Sequence, residues 1–342
     1  MIDGVVDLYS DTATRPSAGM LDAMSRALLG DEQRGTDPTV KELERRMAEL
    51  LGKERAVLVP TATMANQIAL VLHTRGGDEI LCHRNAHVFN NEGGGVSANT
   101  HAQIFPLEGE RGIFDAAAVR AAIRPDDPHQ PVTRVVVVEN TSNGGGGSIW
   151  PDEAFFGVAN VCKEKNLALH IDGARLFNAA VARGVAPSHW ARHGSSVQIC
   201  FSKGLGCPLG AVLAVDEKHE STVRRIKQRF GGALRQAGVV AGAMLYALEH
   251  NVQRLADDHR RARALAEGLR AFPALQLDPV ETNLVYFRYP GGKTEELAAK
   301  LKAHGVLVSR VGADRVRACT HLDVSDDDIR IALAAFAKVL TG

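Results

Sequence analysis

The chain is short of the features that mark several large classes of protein. Its 342 residues include five cysteines, Cys82, Cys162, Cys200, Cys207 and Cys319, with no C-x-x-C spacing among them. An odd, scattered set argues against a disulfide framework and against a zinc cluster, and fits reduced thiols in a cytosolic protein; no metal centre is expected. Charge of one sign is also missing, because 40 Lys and Arg balance 40 Asp and Glu. Without a basic footprint, neither nucleic acid nor an anionic membrane is an expected partner, and a small molecule is. No apolar run approaches the ~20 residues of a membrane helix, and the start, "MIDGVVDLYSD", has no basic stretch leading into an apolar one, so a soluble cytoplasmic protein is expected. The sequence has neither G-x-G-x-x-G nor G-x-x-x-x-G-K-[ST], which leaves dinucleotide and P-loop sites unsupported.

What is present is an alternation of short apolar strands with helical segments, in a chain 45% hydrophobic. "RAVLVP", "DEILCH", "TRVVVVEN", "LALHID" and "SVQICFS" read as strands, and "TATMANQIALVLHTRG", "DAAAVRAAI" and "DEAFFGVANVCKEKN" as helices. That rhythm predicts an α/β fold with a mostly parallel sheet covered on both faces. "GAVLAVD" reads as an edge or return strand before a basic helix. From residue 237 a stretch of helical periodicity predicts a long connecting helix, followed by a small α+β unit. The expected division is a large domain over 1–250, including the N-terminal segment, and a small C-terminal domain over 251–342. "NGGGGS" at 143–148 reads as a flexible turn.

In open α/β sheets, ligands sit beyond the carboxyl ends of the strands. Thr61 and Thr63 follow the first strand and open a helix. They serve either as ordinary caps or as part of a phosphate cup. Asp172 ends "LALHID", with Arg175 three residues on, and the two could simply pair. Lys203, in "SKGLG", is either a solvated turn lysine or an amine at a strand end able to form a Schiff base. Lys203 and Asp172 together suit pyridoxal 5′-phosphate, whose ring nitrogen needs a buried carboxylate to keep its proton.

The ordered stretches "DLYSDTATRP", "GDEQRGTDPTV", "LVPTATMANQIAL", "NAHVFNNEGGG", "VVVENTSN", "LALHIDGARLFNAAVA", "FSKGLGCPLGAVL", "GGALRQAGVVAGAMLYALEHNVQRLADDH" and "VRACTHLD" resemble the low-specificity L-threonine aldolase family over essentially the whole chain. The resemblance implies a fold-type I, aspartate aminotransferase-like architecture, with pyridoxal 5′-phosphate as cofactor. It implies reversible cleavage of L-β-hydroxy-α-amino acids to glycine and an aldehyde. Lys203 then matches the Schiff-base lysine, Asp172 the partner of the ring nitrogen, and His87 the histidine stacked on the ring and the best candidate base. Thr61, Ala62 and Thr63 match the phosphate cup, with Ala62 where the family usually has Gly. Arg235 matches an arginine offered to the phosphate by a neighbouring subunit. Arg175, also counted beside the cofactor, joins Arg317 and Ser10 around the substrate carboxylate. A homotetramer built from dimers that share active sites is implied.

Three positions depart from the family pattern: Arg34 stands where a tyrosine is usual, Ser142 where a histidine faces the β-hydroxyl, and Tyr9 where an arginine is usual. An Arg34 pointing into the pocket would favour 3-hydroxyaspartate; one turned to solvent or to Asp37 would not. Ser142 would leave room for an aromatic β-substituent, as in phenylserine. Loss of the histidine also keeps open a racemase or β-eliminating lyase on the same cofactor.

Overall fold

The computed structural model describes residues 4–341. Met1–Asp3, the first residues of the start "MIDGVVDLYSD", and Gly342 lie outside them. Twelve strands form two sheets: β1 (Val6–Leu8), β2 (Arg55–Val59), β3 (Asp78–His83), β4 (Gln103–Leu107), β5 (Val132–Glu139), β6 (Ala168–Gly173), β7 (Ser196–Cys200), β8 (Ala211–Val215), β9 (Gln276–Leu277), β10 (Leu284–Arg288), β11 (Val306–Val311) and β12 (Arg315–Cys319).

The larger sheet runs β2-β8-β7-β6-β5-β3-β4. Its pairings are parallel except at β8, which is antiparallel to both β2 and β7. β8 is therefore a return strand, but an interior one: β2 holds the edge. The apolar run of β5 is buried from Val135 onward, because helices cover both faces of a parallel sheet. The strand registers set which polar groups become neighbours: Glu139 lies beside Asp172, Asp172 beside Gln198, and His170 beside Ser196.

The smaller sheet runs β1-β11-β12-β10-β9. β1 pairs in parallel with β11, so the start of the chain completes the C-terminal sheet and its Val6 and Leu8 join that core. The N-terminal segment thus packs on the other side of the expected boundary at 250. The expected single connecting helix is two helices, Gly238–His250 and Leu255–Leu269. Between them buried Asn251 donates from Nδ2 to the carbonyl of Leu205, anchoring the bend. Leu255 belongs to the large core, and Ala262, Leu265 and Leu269 to the small one. Among the described residues no helix is long and apolar enough to cross a membrane.

The glycine run is not a loose turn. Ser142 and Ser148 bridge across it, and Gly145 lies where a Cβ would stand 1.8 Å from the carbonyl oxygen of Arg111. Close approach of protein backbone is what these glycines permit.

Candidate active site

Beyond the carboxyl ends of β5, β6 and β7, the chain gathers Ala62, Thr63, His87, Asp172, Lys203 and Arg317 around one cavity of about 140 Å³. The helix Ala62–His73 turns its N-terminus toward it, Thr61 accepting from the Met64 N–H as an ordinary cap. Ser10 and Thr12 close one side from the segment after β1. Lys203 is half-buried, and among the described residues its Nζ has no hydrogen-bonding or ionic partner. A larger groove of about 720 Å³ runs along Glu32–Asp37 and Arg224, sharing no residue with the Lys203 cavity.

Asp172 is buried at the end of β6 and does not pair with Arg175. Its Oδ2 accepts from Asn66 Nδ2 at 2.8 Å, and its Oδ1 from the Ala174 N–H at 3.1 Å and from Gln198 Nε2. Burial pushes its pKa up, but the charges of His87 and Lys203 and the Asn66 donor outweigh it and hold the carboxyl below the usual value. It is an anion at the floor of the cavity.

His87 follows β3 and is oriented from two sides. Its backbone N–H donates to Glu139 Oε2 at 2.7 Å, and its Nδ1 lies 2.9 Å from Glu92 Oε1. Burial would lower its pKa, but the hydrogen bond to Glu92 and the charges of Asp172, Glu92 and Glu139 raise it above the ordinary histidine value. Glu139 sits beside Asp172, and its pKa rises to about 6 through burial and that neighbouring charge. One atom each of His87, Glu92 and Asp172 lie within 4.8 Å of one another, as metal ligands would. The Glu92 oxygens are already occupied by Asn66, Gln67 and His87, so the cluster reads as a hydrogen-bonded network.

The two arginines expected at a substrate carboxylate are not equivalent. Arg175 gives its fork to Asp11, Nε at 2.7 Å and Nη2 at 2.6 Å, both groups buried. Both arginines line the cavity, but Arg317 has lighter ties, Nη1 to Asn143 Oδ1 at 3.2 Å and Nη2 to the Tyr9 carbonyl at 3.1 Å, while its buried Nε has no hydrogen-bond partner among the described residues. Arg235 is not on a helix: it lies in the loop before Gly238, largely exposed, 3.3 Å from Asp31.

Several groups that shape this site escaped the sequence reading: Asp11, Asn66, Glu92, Glu139, Asn143 and Gln198. The signal for Gln198 was a lone amide in the apolar run "SVQIC", and for Glu92 an acid five residues after His87 in "HVFNNE". Nothing local marks Asp11, whose partner is 164 positions away.

The comparisons with known proteins fit this geometry. Residues 7–289 match the family model described as Beta-eliminating lyase. The chain is 40% identical over 344 residues to the probable low-specificity L-threonine aldolase 2 of Arabidopsis thaliana, covering 98% of this chain and 97% of that one. It belongs to the low-specificity L-threonine aldolase family. The low specificity L-threonine aldolase of Escherichia coli K12 is 39% identical over 326 residues, 95% of this chain and 96% of its own. In fold, the chain is similar to the Leishmania major threonine aldolase, with TM-score 0.83 at 19% identity over 97% of this chain and 99% of that one.

The three departures from the threonine aldolase pattern fall outside the cavity wall. Arg34 lines the larger groove with its side chain 82% exposed, 3.7 Å from Asp31 rather than on Asp37. Ser142 is buried in its turn, its Oγ accepting from the Gly145 N–H at 3.2 Å, while its neighbours Thr141 and Asn143 line the cavity. Tyr9 is exposed and contributes its carbonyl to Arg317. Within one chain, then, none of the three side chains lines the Lys203 cavity.

Proposed function

We propose that this protein is a pyridoxal 5′-phosphate-dependent aldehyde-lyase of the L-threonine aldolase type, cleaving L-β-hydroxy-α-amino acids to glycine and an aldehyde. The observation that carries the reading is the unpartnered Lys203 amine facing the same cavity as the buried, anionic Asp172.

The donor set suits the cofactor. An unpartnered lysine amine, a buried carboxylate with a wall histidine, a helix N-terminus at Ala62 and Thr63, and an arginine in the cavity wall are what an aldehyde, a pyridine nitrogen, a phosphate and an amino-acid carboxylate require. When bound, pyridoxal 5′-phosphate supplies the electron sink for the pair released as the Cα–Cβ bond breaks. Asp172 keeps the proton on the ring nitrogen. Arg317 grips the substrate carboxylate from the small-sheet side, with Ser10 beside it, while Arg175 acts through Asp11 and Asn143. In its neutral form His87 donates from Nδ1 to Glu92, which leaves Nε2 as the acceptor for the β-hydroxyl proton. We further infer a cytoplasmic homotetramer in which exposed Arg235 serves a neighbouring subunit; five buried free thiols suit a reducing compartment.

The test is glycine release by the purified, cofactor-loaded protein from L-threonine, L-allo-threonine, L-phenylserine and 3-hydroxyaspartate. Glycine from at least one, abolished in Lys203→Ala, is expected. No glycine from all four with the cofactor bound would overturn the aldolase reading.

A further inference from the structure

Three elements place a polar seam under one face of the large sheet. His170 and Asp172 are two apart on β6 and therefore share a face; Ser196 and Gln198 are their register partners on β7. Above them, Asn66 and His73 are seven apart on the helix Ala62–His73, two turns along one side. Such groups are costly inside an otherwise apolar layer unless each is satisfied.

Their hydrogen bonds form a line. His73 Nε2 lies 3.0 Å from Ser196 Oγ, Ser196 Oγ 2.9 Å from His170 Nδ1, and His170 Nε2 3.0 Å from Asn66 Oδ1. Asn66 Nδ2 then lies 2.8 Å from Asp172 Oδ2 and 2.8 Å from Glu92 Oε1. Direction follows from chemistry. Ionised carboxylates only accept, so the Asn66 amide nitrogen must face them and its oxygen must face His170. His170 Nε2 therefore carries hydrogen. Burial pushes its pKa down to about 4, so the ring is neutral near pH 7 and Nδ1 accepts from the Ser196 hydroxyl. Ser196 in turn accepts from His73 Nε2–H, and burial depresses His73 as well, to about 3.

We infer that His73, Ser196, His170 and Asn66 form a one-way chain of neutral donors that ends on Asp172 and Glu92 and keeps the proton of a bound pyridine ring on its nitrogen rather than on Asp172. This rests on the cofactor assignment proposed for Lys203 and Asp172. In a buried site a carboxylate and a pyridinium compete with a neutral acid and a neutral ring. Donors aimed at the carboxylate stabilise its charge and favour the ionic pair. The same Asn66 amide group holds Glu92, which orients His87, so one side chain ties together both assigned groups. His170, Ser196 and His73 are positioning residues that act through Asn66.

The test is nitrogen-15 NMR of the full-length protein with labelled histidine and with pyridoxal 5′-phosphate labelled at the ring nitrogen. In the wild type, His170 and His73 are expected neutral with hydrogen on Nε2, and the bound ring nitrogen protonated. His170→Phe releases the Asn66 amide, and the ratio of proton on nitrogen to proton on Asp172 should fall at least about tenfold. Ser196→Ala, a milder cut, should lower it by a smaller factor, and His170→Gln, whose amide can donate to Asn66 Oδ1, should restore it. Hydrogen on Nδ1 of His170, or a ring nitrogen equally protonated in wild type and His170→Phe, overturns the inference. Should His170→Phe not fold, the wild-type imidazole pattern and Ser196→Ala still decide it. A wild-type chain that takes up no cofactor overturns the functional reading and the last link of the chain with it, whatever the imidazoles show.

Discussion

Arg175 and Asp11 face each other as fork and carboxylate, Nε at 2.7 Å and Nη2 at 2.6 Å, with both side chains buried. Arg175 follows the end of β6 in the large sheet; Asp11 follows β1 in the small one. The pair therefore joins the two sheets beside the cavity, and Asn283 Nδ2 adds a third donor to Asp11 at 3.1 Å. Although burial alone would raise the Asp11 pKa, the Arg175 charge drives it well below the carboxylate range. Asp11→Ala strands a buried guanidinium. A stability loss of about 3–5 kcal/mol is expected, measured by urea unfolding of the cofactor-free protein. A change within error of zero would mean that water or Asn143 replaces Asp11 at no cost.

On the proposed assignment, Arg317, whose ties are lighter than those of Arg175, grips the substrate carboxylate. Arg317→Leu should raise KM for the amino acid by roughly ten- to a hundredfold, the worth of a charge-assisted hydrogen-bonded pair. Cofactor uptake should be unchanged. Arg317→Lys should recover only part, because an ammonium cannot present two parallel donors. Steady-state kinetics beside a cofactor titration checks both halves, and a loss of cofactor uptake that matches the rise in KM would place Arg317 elsewhere.

The sheet was legible because its strands carry their own signals: short runs rich in Val, Ile and Leu, spaced between helical segments and bounded by polar or turn residues. Lys203 and Asp172 were legible for the same reason, standing where such runs stop. What was hidden depends on distant pairing. Val6–Leu8 was not legible as a strand, being three residues long and completed only by its pairing with β11, and the division near residue 250 hid the bend at Asn251, whose partner carbonyl is Leu205. The Arg175–Asp11 pair was hidden because its two members are remote in sequence. From sequence, Arg34 stands open between the pocket and solvent or Asp37; within one chain its exposed side chain lies nearest Asp31, while Ser142 Oγ accepts from the Gly145 N–H.

That turn yields a prediction of its own. A Cβ on Gly145 would stand 1.8 Å from the Arg111 carbonyl oxygen and 2.6 Å from Ser148 Oγ, and backbone cannot step aside cheaply. Gly145→Ala should destabilise the protein by about 1–3 kcal/mol, the usual range for overpacking a filled site. Because Asn143 in the same turn contacts Arg317, KM for the amino acid should rise as well. Unchanged thermal stability would restore the picture of a flexible glycine run.

The last prediction concerns acid. His259 is buried on the helix Leu255–Leu269, its Nε2 3.2 Å from Asn178 Nδ2, and burial lowers its pKa to about 4. The unfolded chain binds that proton near pH 6.5, so between the two values the unfolded state holds more protons and stability falls as pH falls. The slope from this one residue is about 1.4 kcal/mol per pH unit. It is offset in the same region by Glu139 and Asp258, which burial raises to about 6 and which therefore favour the folded state on acidification. The bulk pH profile mixes these terms, but a comparison separates them. His259→Gln keeps an acceptor for Asn178 and removes the titration. Unfolding free energies of wild type and variant should run parallel above pH of about 6.5. Below it the wild type should lose about 1.4 kcal/mol more per unit than the variant, down to about pH 4. Parallel curves throughout would mean that His259 takes up its proton in the folded state as readily as in the unfolded one.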